Sequence, residues 1–132
     1  MATESFPEFA TGPDDSDFPQ DKLFILFIPT KTKDGEPIQS PEVWVDEAAG
    51  MFSELFGGAT EIAAKGCWKN PETGKLIRED VMLVQSYTTA ELGLDSSSLN
   101  TINEFCRRMG NETSQGEVGM VIDGVFKRLS GF

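Results

Sequence analysis

The chain contains no histidine. That removes the Ser-His-Asp and Cys-His arrangements of nucleophilic catalysis, and with them the commonest transition-metal ligand. Cysteine is nearly as scarce. Cys67 and Cys106 are the only two, and their spacing matches no metal-ligand or redox motif, which reads as two free thiols in a reducing cytosol. Basic residues are outnumbered, 11 against 22 acids, for a net charge of −11. Nucleic-acid binding depends on Lys and Arg neutralising phosphates, so this balance argues against it. No apolar run approaches the roughly 18 residues of a membrane span. The first twenty residues lack both the basic start and the apolar middle of a signal peptide. No glycine cluster opens a helix to cradle phosphate, since Gly57-Gly58 closes one instead. The expectation is a cytoplasmic protein with no metal, no cofactor, and no direct contact with nucleic acid or membrane.

What is present suits a single folded domain. The 132 residues are 39% hydrophobic and 10% aromatic, too apolar for a disordered chain. Residues 1–20 stand apart as an acidic tail: five acids, no Lys or Arg, and three prolines. Such a segment buries too little apolar surface to offset its ordering entropy. Phe6, Phe9 and Phe18 are its anomaly, able to anchor the tail on its own domain or on a partner. Residues 21–132 form the domain.

The centre of that domain is the stretch Gly66–Thr88. Asn70-Pro71-Glu72-Thr73-Gly74 is a turn between a strand ending in Cys67-Trp68-Lys69 and a long, Val- and Leu-rich return strand. Asp21–Pro29 is apolar on both faces, the pattern of a central strand. Ser40-Pro41-Glu42 starts a helix that runs to about Phe56, with Trp44, Ala48, Met51, Phe52 and Leu55 on one stripe. After a loop at Ala90–Ser97, a second helix is expected from about Ser98 to Met109. Gln115–Ile122 is a fourth strand, with Val118, Met120 and Ile122 inward. Asp123-Gly124 marks a hairpin to a short edge strand. The order β-α-β-β-α-β predicts an α+β, ferredoxin-like sandwich: a four-stranded antiparallel sheet, two helices on one face, and a short C-terminal edge strand.

From Lys22 to about Leu129 the chain resembles a loose group of small, uncharacterised bacterial and phage-type ferredoxin-like proteins. The similar residues are the strand LFILFIPT, the junction LFGGAT, the hairpin G-C-W-x-N-x-x-T-G-K and the following R-E-D-V. The resemblance implies the topology and carries no activity.

Few residues suggest chemistry. Arg78-Glu79-Asp80 is the densest charged cluster within the expected strands, but alternation sends Glu79 to one face and its two neighbours to the other, so no carboxylate dyad forms. Cys67, between Gly66 and Trp68, is the best placed thiol and has no histidine to activate it. No catalytic residue is therefore assigned. The expected function is a non-enzymatic protein-interaction or assembly module. The alternatives are an acidic, phage-type inhibitor seated on the basic surface of a nucleic-acid-handling or defence protein, and a small-ligand sensor. Two helices cover only one face of a sheet, and strand one is apolar on both. Assigning Leu23, Ile25 and Phe27 to the helices leaves Phe24, Leu26 and Ile28 outward, beside Met82, Val84 and Val121. The faces exchange if the register shifts by one, and either choice leaves an apolar patch for a homodimer, or for the tail, to cover.

Overall fold

The fold is described from a computed structural model, over residues 20–132. The expected tail, with Phe6, Phe9 and Phe18, lies outside the described residues. The elements run β1 (Lys22–Pro29), α1 (Pro41–Phe56), β2 (Thr60–Lys69), β3 (Leu76–Thr88), α2 (Ala90–Gly93), α3 (Ser96–Glu112), β4 (Glu117–Ile122) and β5 (Val125–Ser130). The strands form one antiparallel sheet in the order β2-β3-β1-β4-β5.

The expected four-stranded ferredoxin-like sandwich with two helices is corrected on both counts. Five strands make the sheet, and β5 pairs along the whole of β4. The turn explains the reversal. Asp123 and Gly124 both hold positive φ, 53° and 78°, the geometry whose twist matches the flanking strands and sends the chain straight back. The third helix, α2, occupies part of the expected loop. The Thr89 hydroxyl accepts from the Leu92 N–H and caps this single turn.

Helix α1 begins at Pro41, where Ser40-Pro41-Glu42 places it, but without the expected cap. Ser40 sits in the left-handed region, φ 51°, and its side chain makes no capping bond. Helix α3 begins at Ser96, ahead of the expected start at about Ser98, because the carboxylate of Asp95 accepts from the Ser97 and Ser98 N–H groups. The hairpin turn is built as its residues suggest: Asn70 Oδ1 accepts from the Glu72 N–H at 2.8 Å, and Gly74 takes φ 73°.

Helices α1 and α3 cover one face of the sheet, and the core lies between. Phe24, Leu26, Ile28 and Val84 are fully buried there with Phe52, Ile102, Met109 and Met120. Phe24 packs edge-on to both Phe52 and Phe56 of α1. Met82 lies on this covered face too and packs against the core. The outward placement of Phe24, Leu26, Ile28, Met82 and Val84 is thereby corrected. Direct partners share a face, and Leu26 opposite Val84 and Ile28 opposite Met82 place all of them under the helices. Of the strand residues expected outward, Val121 alone is on the open face, opposite Ile25.

Candidate functional site

The uncovered face of the sheet is built from the odd-numbered residues of β1, β3 and β4 and the even-numbered ones of β2 and β5. Its rungs follow from the registers. Leu23 stands opposite Tyr87; Ile25 lies between Gln85 and Val121; Phe27 is opposite Leu83, which is opposite Ile62; Val81 is opposite Ala64. Phe126 of β5 reaches across Gly119 to meet Phe27, with ring centroids 5.9 Å apart. Ile62, Tyr87 and Phe126 remain 37%, 53% and 52% exposed.

At one end of this apolar face the pattern breaks. Strand β1 stops at Pro29, opposite Val81, whereas β2 and β3 continue as a two-stranded ribbon. The next rung on the open face is Gly66 opposite Glu79, and the one after is Trp68 opposite Ile77. Glu79 is half-buried. Its partner has no side chain, and a Cβ at Gly66 would meet nothing within 4 Å. The result is a notch with a carboxylate on one strand and bare backbone on the other. Trp68 and Ile77 wall one side, and Ala64 and Val81 the other. Trp68 is 49% exposed.

Electrostatics set Glu79 apart from its neighbours. Asp80, on the other face, is hydrogen-bonded by the Lys65 ammonium, and that bond and charge hold its carboxyl below the usual range. Among the described residues no cation pairs with Glu79. A carboxylate on apolar ground beside an exposed indole is suited to a cationic ligand with a flat ring system: the carboxylate supplies the counter-charge, and the indole supplies a stacking and cation–π surface.

The second concavity is an open groove of about 460 Å³ between α1 and α3. Arg108 lies over Trp44 and Phe105 there, and is paired with Glu47. The Arg108–Glu47 pair ties the two helices together across this groove. Cys106 is buried, and burial pushes its thiol up to about 12. Cys67 is exposed on the ribbon, one residue from the notch and on its opposite face. No group of three metal-ligating side chains comes together among the described residues. No helix among them is long and apolar enough to cross a membrane.

No protein-family model matches this chain, and no curated protein sequence does. Solved structures do match. A phage SAM lyase in complex with S-methyl-5′-thioadenosine superposes with a TM-score of 0.57 at 13% identity, covering 85% of this chain and 91% of the lyase. A phage SAM lyase in the apo state gives 0.54 at 14% identity, covering 83% and 89%. CutA from Synechococcus elongatus follows at 0.42. At such identities the lyase likeness is one of fold. It overturns the expectation of a non-enzymatic module, and with it the inhibitor and sensor alternatives: a fold that a lyase uses, over nearly its whole length, is no basis for excluding catalysis. Catalytic sequence motifs describe histidine, metal and phosphate chemistry. A glutamate facing a glycine across a hairpin belongs to none of these.

Proposed function

We propose that this protein is a small lyase acting on a sulfonium nucleoside of the S-adenosylmethionine type, with the Glu79–Gly66 notch as its reaction site. The observation that carries the proposal on this chain is the half-buried carboxylate of Glu79, unpaired among the described residues, beside the exposed Trp68 ring. The fold shared with phage SAM lyases supports it.

The chemistry suits the surface. S-adenosylmethionine carries an adenine ring, a positive sulfonium and a terminal α-ammonium group. Trp68 provides a stacking plane for the adenine, and Glu79 a counter-charge for the ammonium. The sulfonium then lies over an apolar sheet, where a charge is poorly solvated. Breaking the bond between sulfur and the amino-acid side chain leaves the electron pair on sulfur and turns the cation into a neutral thioether. A surface that solvates charge poorly favours that loss of charge. The released carbon is closed by the fragment's own carboxylate through a five-membered ring, so no water is consumed. The products are S-methyl-5′-thioadenosine and a four-carbon lactone. A cytosolic setting fits this substrate and the exposed thiol of Cys67.

The test is incubation of the purified protein with S-adenosylmethionine, followed by mass spectrometry of the small molecules. Appearance of both products above the spontaneous rate, lost in Glu79→Gln, supports the assignment. Unchanged substrate, with binding or without it, overturns the lyase reading.

A further inference from the structure

We infer that Gly66 determines the specificity of the notch. Its missing side chain leaves room for the middle of a ligand that is held at both ends, on Trp68 and on Glu79. This rests on the lyase reading and deepens it, because it says which part of the substrate the site selects.

A glycine inside a strand weakens it, and three reasons keep one there: a bulge or bend, close approach of another part of the chain, or close approach of a ligand. The first is absent at Gly66. Its φ lies outside the left-handed region. The register also runs unbroken through it, with Lys65 opposite Asp80, Gly66 opposite Glu79 and Cys67 opposite Arg78. The second reason is absent too. Among the described residues, a Cβ on Gly66 would meet nothing within 4 Å. Gly119 is the contrast, since a Cβ there would come within 3.1 Å of the Phe126 ring. The fold has no use for a glycine at position 66, and alanine would suit the strand better. A ligand is the reason that remains.

The neighbours of Gly66 identify the part of the ligand that passes over it. Trp68 is the next residue of β2 on this face, and Glu79 stands directly across on β3. Strand geometry makes these three residues the corners of a patch about 7 Å by 5 Å. An adenine stacked on the indole and an α-ammonium at the carboxylate fix the two ends of the substrate. The ribose and the sulfonium sulfur join those ends, and they cross the ribbon at Gly66. A molecule fixed at both ends cannot slide away from a methyl group on the floor between them. One fixed only on Trp68 can. Gly66 thereby favours the intact substrate over S-methyl-5′-thioadenosine, which has lost the amino-acid arm and gains nothing from the bare floor.

Three full-chain variants test this: Gly66→Ala, Gly66→Val and, as the control, Gly50→Ala. Gly50 is exposed on α1, and a Cβ there also meets nothing within 4 Å. Both alanine variants should raise Tm by on the order of 2–5 °C, because alanine suits a helix or a strand better than glycine. Gly50→Ala should leave cleavage unchanged. Gly66→Ala should lower kcat/KM for S-adenosylmethionine on the order of 100-fold, the scale of a substrate displaced by about 1 Å. Gly66→Val should lower it further.

Calorimetry with two ligands then separates the ends. S-adenosylhomocysteine keeps the amino-acid arm on a neutral sulfur and is not cleaved, whereas S-methyl-5′-thioadenosine lacks the arm. In Gly66→Ala the first should bind at least about tenfold more weakly, as one misplaced methyl group implies, and the second as in the wild type. A Gly66→Ala variant of undiminished activity overturns the inference, as does equal weakening of the two ligands. A lower Tm in Gly66→Ala would mean that the glycine serves the fold, with the same consequence. A wild type that binds both ligands and leaves S-adenosylmethionine intact overturns only the lyase reading, and the two affinities still decide the role of Gly66. A wild type that binds neither overturns both.

Discussion

Phe27 of β1 and Phe126 of β5 meet edge to face, at 81°, across a strand that lies between theirs. They can do so because the intervening residue is Gly119. A Cβ there would come within 3.1 Å of the Phe126 ring and 3.5 Å of the Phe27 ring. The contact closes one end of the open face and holds β5 against the sheet. Gly119→Val should displace Phe126 and destabilise the fold by about 1–3 kcal/mol. Gly119→Ala should cost less, because the ring edge needs to move only slightly. Denaturant midpoints of the two variants check the order.

Glu79 and its neighbours separate by role. Glu79→Gln keeps the shape of the side chain and removes its charge, so cleavage of S-adenosylmethionine should fall by at least about 100-fold with the denaturant midpoint unchanged. Asp80→Asn, one residue away on the opposite face, should leave the rate within about threefold, since surface ion pairs of this kind contribute little. Equal losses in the two would remove the case for the notch.

Trp68 is expected to act through binding. Trp68→Ala removes the stacking surface and should raise KM on the order of tenfold, as the loss of about 1–3 kcal/mol of base stacking implies. Trp68→Phe should recover most of it. A fall in kcat with KM unchanged would assign the ring to the reaction step instead.

The Lys65–Asp80 pair gives a pH signature of known sign. The hydrogen bond and charge of Lys65 lower the Asp80 carboxyl, so this group adds stability above the ordinary carboxylate value of about 3.9 and loses it as pH falls through the depressed one. Because the pair is exposed, denaturation should barely register it. NMR titration should: in Lys65→Met, the Asp80 pKa should rise toward its ordinary value. No rise would mean that the pair does not form in solution.

The two thiols should divide cleanly. Cys67 is exposed, whereas burial holds Cys106 at about 12. A thiol reagent at neutral pH should modify one cysteine per chain in the native protein and two after unfolding. Modification of Cys106 in the native state would mean that the contact of α3 with the sheet opens readily.

Much of the framework was legible in the residues. The bounds of α1, the Asn70–Gly74 turn and the central place of β1 follow from local chemistry: an early proline, a turn rich in Asn, Pro and Gly, and a strand apolar on both sides. What local chemistry could not decide was which side of that strand the helices take. Both Leu23-Ile25-Phe27 and Phe24-Leu26-Ile28 are apolar, and only the pairing of Leu26 with Val84 under α1 separates them. The length of β5 was underestimated for a similar reason, since a two-residue turn fixes a reversal and not how far the chain then pairs. Along the sequence Glu79 stands alone on its face, because alternation sends Arg78 and Asp80 to the other, and so it suggests no carboxylate dyad. The residues that define its surroundings, Gly66 and Trp68, are neighbours across the strand and not along it.

The sheet is not stitched evenly. Strand β3 is paired to β2 over ten positions and to β1 over eight, whereas β1 is paired to β4 over three, Phe24 to Leu26 against Met120 to Ile122. That short seam joins segments far apart in the chain, so its closure carries the largest loop entropy and the least hydrogen bonding in return. Folding should therefore assemble the β1–β2–β3 part first and dock the β4–β5 hairpin last. Amides of β4 that face the seam should exchange with solvent before those of β3, by partial opening and not by global unfolding.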